Sequence, residues 1–114
     1  MQFMITFNHI DGLWERLSEE ERSSHEQWLA EFMKNLKEQK QSNLVFFNPP
    51  DQRKSVRKQL DGEMEVLEGP AIVGPEQVGG YYIIDADTED EAVEWAKKGR
   101  WMVGSNEIRQ MYSV

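Results

Sequence analysis

Two histidines are the side chains of this 114-residue chain whose ordinary titration falls near neutrality. His25 lies one turn before Leu29, at the edge of an apolar helical stripe. An imidazole there can serve as a general base or acid, or simply be a satisfied helix-edge residue. His9 follows the first strand and reads as a solvated turn residue. Cysteine is absent, which excludes disulfides and thiolate nucleophiles and argues against zinc-finger chemistry. The stretch "EGPAIVGPEQVGGYY", Glu68 to Tyr82, sets two Gly-Pro pairs and a Gly-Gly pair before two tyrosines. Gly69 and Gly74 permit backbone conformations closed to other residues, and Pro70 and Pro75 stiffen the path. Such a loop suits a pocket wall. It also suits a dimer contact, because Ala71 to Val73 is apolar.

Other residues could touch a ligand. Tyr81 and Tyr82 point to opposite sheet faces, one beneath helices and one toward a cleft or partner where a phenol can donate. "RKSVRK", Arg53 to Lys58, reads either as a strand face paired with the acidic run "DGEMEVLE" or as an anion contact through Arg57. Trp14, Trp28, Trp95 and Trp101 are core or rim residues, with Trp28 beside His25 on the helix. Arg100 follows the second helix, where a cation complements the dipole without further function.

Thirteen Lys and Arg stand against 21 Asp and Glu, a net charge of −8. That balance disfavours nucleic acid and anionic membranes as partners. "MQFMITF" lacks a basic leader, and no segment reaches the length of a membrane span. The expectation is a soluble cytoplasmic protein with no metal or prosthetic group. The length fits one domain, residues 1–114.

The elements that must position these residues are legible. "FMITF" alternates, with Phe3, Ile5 and Phe7 on one side, and "NHIDG" is expected to break that strand. Ser18 and Glu21 match a capping box ahead of a helix whose Trp28, Leu29, Phe32, Met33 and Leu36 share a stripe. "NLVFF" is a short strand ended by "NPPD". Asp61-Gly62 between "RKSVRKQL" and "EMEVLE" predicts a hairpin with a type I′ turn. "VGGYYIIDAD" reads as a central strand. Thr88 and Glu91 match a second capping box, before a helix stopped by Gly99, and "EIRQMYSV" closes the chain as a strand. This order predicts a ferredoxin-like α+β sheet with two helices on one face and an added hairpin. The second face, rich in Tyr, Met, Ile and Phe, predicts a homodimer with sheets stacked.

The chain resembles the YCII-related proteins of the DGPF-motif branch. The resemblance lies in "FMITF", "LSEEERSSHEQW" (17–28), "LEGP" (67–70), "EQVGGYYIIDADTEDEAVEWAKK" (76–98) and "EIRQMYSV". It implies a dimeric α+β barrel of ferredoxin-like halves, in a superfamily that includes isomerases, dehalogenases and small monooxygenases. It also implies a reactive His–carboxylate pair, here His25 and Glu68, with Gly69 and Pro70 completing the motif. The sequence departs from that motif: Glu68 replaces Asp, Ala71 replaces Phe, and Val73 stands where a second acid is expected. Two functions stay open. One is proton-transfer catalysis on a small cyclic or carbonyl compound. The other is a non-catalytic dimeric module binding a small ligand or a protein.

Overall fold

The computed structural model describes residues 1–99 and 104–112, so Arg100 and Trp101 lie outside the described residues. The elements are β1 (Gln2–Ile10), α1 (Glu19–Lys40), β2 (Val45–Phe46), β3 (Lys54–Lys58), β4 (Met64–Glu68), β5 (Glu76–Asp85), α2 (Glu89–Lys97) and β6 (Gly104–Met111). The main sheet is antiparallel, in the order β2-β5-β1-β6. With the β3–β4 ribbon set aside, this is the ferredoxin-like plan with both helices on one face. The ribbon forms a separate two-stranded sheet, an arm added between β2 and β5.

Alternation along β1 builds the core. Phe3, Ile5 and Phe7 are buried beneath the helices, opposite Ile84, Tyr82 and Gly80 of β5. Phe32 and Leu36 of α1 and Ala92, Trp95 and Ala96 of α2 close over them. Met33 shares the α1 stripe in sequence but is exposed, because it lies at the stripe's margin. Burial also pushes the Tyr82 phenol up well above its ordinary range.

Both helices start as their sequences indicate, with one difference. At α1 the Ser18 hydroxyl accepts from the Glu21 N–H and the Glu21 carboxylate accepts from the Ser18 N–H, a complete capping box. At α2 the Thr88 hydroxyl accepts from the Glu91 N–H, but the reciprocal bond is not the expected one. The Glu91 carboxylate instead accepts from the Asp87 N–H and from the Lys40 ammonium. Lys40, at the end of α1, supplies a cation there and also donates to the Asp85 carbonyl at 2.8 Å. The end of α1 is thereby tied to the start of α2.

The arm's turn also differs from a type I′ turn. Gly62 has φ +89°, but Asp61 is not in the left-handed region. The Gly62 N–H donates to the Gln59 carbonyl, and the Gln59 N–H to the Glu63 carbonyl. This is a three-residue connection closed by a left-handed glycine, and the Asp61 carboxylate accepting from the Glu63 N–H favours it. The opposite face of the main sheet carries Met4, Tyr81, Ile83, Val45 and Phe47, partly or fully exposed. The Phe47 and Tyr81 rings meet there at 5.7 Å. No helix among the described residues is long and apolar enough to cross a membrane.

Candidate functional site

The Gly79-Gly80 pair shapes the site. The β1–β5 register slips between Phe7 and Asn8, which leaves an extra residue on β5 at this pair. In such a bulge two successive residues can present the same face. Both glycines face space already taken by β1 side chains. A Cβ on Gly79 would lie 2.6 Å from His9 Cε1, and one on Gly80 would lie 2.5 Å from Phe7 Cζ and against the Val45 carbonyl. Glycine at both positions lets the Phe7 and His9 rings approach the β5 backbone closely. β1 consequently runs on to Ile10, and His9 is a half-buried strand residue rather than a turn residue. The chain breaks only at Asp11-Gly12, where Gly12 takes φ +81°.

The segment that follows, through a single 3-10 turn at Trp14–Arg16, folds back toward α1. There His25 packs against Trp14, with ring centroids 5.7 Å apart, and against Trp28 at 5.2 Å. Arg22 lies over the Trp14 ring and donates to the Trp14 carbonyl, fixing that turn on the helix. From the other side β2 brings Phe46, whose ring meets Phe7 edge-on at 5.6 Å. Arg53 closes the third side. Its guanidinium donates to the Asn48 carbonyl from Nε at 3.0 Å and from Nη2 at 2.7 Å, and to the Val78 carbonyl at 2.7 Å. The base of the arm is thus clamped to β5.

Between these walls lies a cavity of about 280 Å³. Phe7, Phe46, Phe47 and Trp14 line it with aromatic surface, and Gly79 contributes bare backbone. His9 and His25 both line it, with Asp11, Glu15 and Arg53 as its charged residues. The His25 pKa lies below the ordinary histidine value because burial disfavours the imidazolium, and the nearby Glu26 charge opposes that shift only in part. His25 is therefore mainly neutral at pH 7, able to accept a proton. Among the described residues no group of three or more His, Asp or Glu side chains converges as a metal site.

The residues singled out from sequence are dispersed. His25 lines the cavity, but Glu68 does not. Glu68 sits on the arm, exposed, with its carboxylate 3.7 Å from Lys54 across the ribbon. A charge partner raising the His25 pKa would have to outweigh burial, and the carboxylate that acts on this ring is Glu26. Gly69 takes φ +96° as the chain leaves β4, and its N–H donates to the Arg53 carbonyl. Gly74 has no positive φ. Pro70 is half-buried beside it, Ile72 and Val73 are exposed, and no residue from 68 to 75 lines the cavity. Arg57 donates to the Ala71 carbonyl at 2.7 Å and faces Glu65 across the ribbon, the paired-face arrangement. Tyr82 is core and Tyr81 faces away from the helices. The Trp28 indole donates to the Lys98 carbonyl at 3.3 Å and supports His25 from outside the cavity.

What the sequence reading missed is His9, Asp11, Phe46, Phe47 and Arg53. One signal was available for His9: the alternation Phe3, Ile5, Phe7 continues to it at the same spacing.

The chain belongs to the YCII-related family: the model of the YCII-related domain matches residues 1–111. A search of curated proteins finds no match.

Proposed function

We propose that this YCII-related chain catalyses proton transfer on a small cyclic or carbonyl compound held in the cavity at the end of β1. The observation that carries the reading is the convergence of His9 and a burial-neutralised His25 on one aromatic-walled cavity. Its volume, about 280 Å³, lies at the lower edge of ordinary ligand pockets, which favours a ligand of one small ring. Neutral His25 takes a proton from the carbon beside the carbonyl. The C–H electron pair moves into an enolate, and the imidazolium formed returns the proton to carbon. The Glu26 carboxylate, which acts on the His25 ring, offsets part of the imidazolium charge. The aromatic walls hold the ring.

The test uses a panel of small cyclic ketones and lactones in D₂O. Wild-type protein should accelerate hydrogen–deuterium exchange beside the carbonyl, read by proton NMR, and His25→Gln should lose that acceleration by about 10²-fold or more. Exchange unaffected by His25→Gln removes His25 from the chemistry.

A second reading is a non-catalytic binding module. Ala71 and Val73 in place of an aromatic and an acid favour it, as does the engagement of Glu68 with Lys54. Binding of panel members in the cavity without exchange would support this reading over the first. In either case a homodimer through the Met4–Tyr81–Ile83 face is expected, because that face is apolar and open.

A further inference from the structure

The arm carries an unpartnered apolar face with a distinctive charge pattern. In the β3–β4 register Lys54 pairs Glu68, Val56 pairs Val66 and Lys58 pairs Met64. These six share one face of the ribbon, because side chains alternate. The other face is engaged in part by the loop that follows, with Ser55 and Leu67 half-buried: the Ser55 hydroxyl donates to the Gly69 carbonyl at 2.8 Å, and Arg57 donates to the Ala71 carbonyl. The first face is bare, with Val56 61%, Met64 61% and Val66 67% exposed. A lone two-stranded ribbon is marginally stable in water, so an open apolar strip on it calls for cover. The arm also projects from the body. The radius of gyration is 16.4 Å, against about 13 Å for a compact chain of this length.

Charge decides what covers the strip. The segment 53–68 holds four basic residues (Arg53, Lys54, Arg57, Lys58) and four acidic ones (Asp61, Glu63, Glu65, Glu68), so it is neutral within a chain of net charge −8. The basic side chains lie on or beside β3 and the acidic ones on or beside β4. The arms therefore add nothing to the net-charge repulsion between two copies.

We propose that the arms of two copies of this chain pair face to face about a two-fold axis parallel to the strands. That axis lays β3 of one copy over β4 of the other. Lys54 then faces the second copy's Glu68 and Glu68 its Lys54, closing an alternating four-charge ring from two existing pairs. The Val56–Val66 pair meets its equivalent in the centre, and Met64 covers the aliphatic stem of Lys58. The other two-fold alignment, with strands reversed, sets Lys54 against Lys58 and is disfavoured. Five-residue strands are about 17 Å long, too short to bury the ~1,200 Å² of a standard stable interface. The pairing is therefore weak and concentration-dependent. Because it uses a surface distinct from the open sheet face, the two self-matching contacts together would link dimers into larger assemblies, closed at a tetramer where the two axes cross at right angles.

Sedimentation velocity on the full chain, from micromolar to millimolar at low salt, tests the ring. Wild type should show a concentration-dependent association step. Lys54→Glu makes the ring all acidic and Glu68→Lys makes it all basic, so each alone should weaken that step by about tenfold or more. An equimolar mixture of the two variants restores alternation only between chains, never within one, and should restore the step. Circular dichroism on each variant confirms that it remains folded. The proposal is overturned if wild type shows no such step, if either single variant associates like wild type, or if the mixture associates no better than its components. It is also overturned if Ile83→Lys abolishes the step while Lys54→Glu leaves it intact, because the sheet face is then the surface responsible.

Discussion

His9 occupies the space that any side chain on Gly79 would need: its Cε1 stands 2.6 Å from where that residue's Cβ would be built. The bulge in β5 and the position of the imidazole are one feature. Gly79→Ala should therefore swing the His9 ring out of its seat and cost about 1–3 kcal/mol, read as a lower Tm together with shifted His9 ring resonances. Gly80→Ala should cost more, because there the obstacle includes the backbone carbonyl of Val45, which cannot rotate away. Equal, negligible losses for both would mean that the two rings do not depend on the glycines.

The His25 shift has a consequence for stability. In the unfolded chain the ring titrates near 6.5, and in the folded chain it titrates lower because burial disfavours the imidazolium. Above 6.5 both states hold neutral imidazole and His25 contributes nothing to pH dependence. As pH falls from 6.5 toward the folded value, the unfolded chain binds the proton first, and stability is lost across that window. His25→Gln should flatten this part of the stability–pH curve. Glu26→Gln should lower the folded pKa further, whereas Glu68→Gln should leave it unchanged. Urea unfolding at a series of pH values checks the first, NMR titration of the ring protons checks the other two, and a fall on Glu68→Gln would return Glu68 to the site.

Gly62 has φ +89°, a conformation that costs a β-branched residue about 1–2 kcal/mol. Gly62→Val should destabilise the arm by that amount, seen as faster hydrogen exchange at the Gln59 amide, while core amides such as Tyr82 hold. Unchanged exchange at Gln59 would show that the turn does not need the left-handed glycine.

The open sheet face predicts a particle of about twice 13.4 kDa by light scattering at micromolar concentration. Ile83→Lys, placing a charge at the centre of that face, should shift it to the monomer. A wild-type monomer at these concentrations would leave the face without the partner assigned to it.

Most of the scaffold was legible in the sequence, and of the residues lining the candidate cavity His25 was. Period-two alternation at Phe3, Ile5 and Phe7, the Ser18–Glu21 box and the Asp61-Gly62 turn are local signals, and each lies where it directs the chain. The turn type at Asp61-Gly62 differs through local bonds among residues 59–63, and the other details that failed depend on contacts between distant residues. Glu91 abandons the second capping box because Lys40, 51 residues earlier, reaches it. His9 stays in the strand because Gly79, far along the chain, makes room. The site's third wall is Arg53, whose role depends on carbonyls of Asn48 and Val78 that no spacing announces. The motif directed attention to Glu68, but the β3–β4 register pairs Glu68 with Lys54 on the arm.

The claim that His9 and His25 face one ligand cavity is tested most directly by long-range ¹H–¹⁵N NMR of the two imidazoles at pH 7, with γ-butyrolactone and cyclohexanone as probes. Both rings should shift together, saturating at the same probe concentration, and His25 should carry the nitrogen signature of a neutral ring before probe is added. A probe-bound state in which neither ring moves, or in which only one does, would contradict the shared cavity and with it the proton-transfer reading.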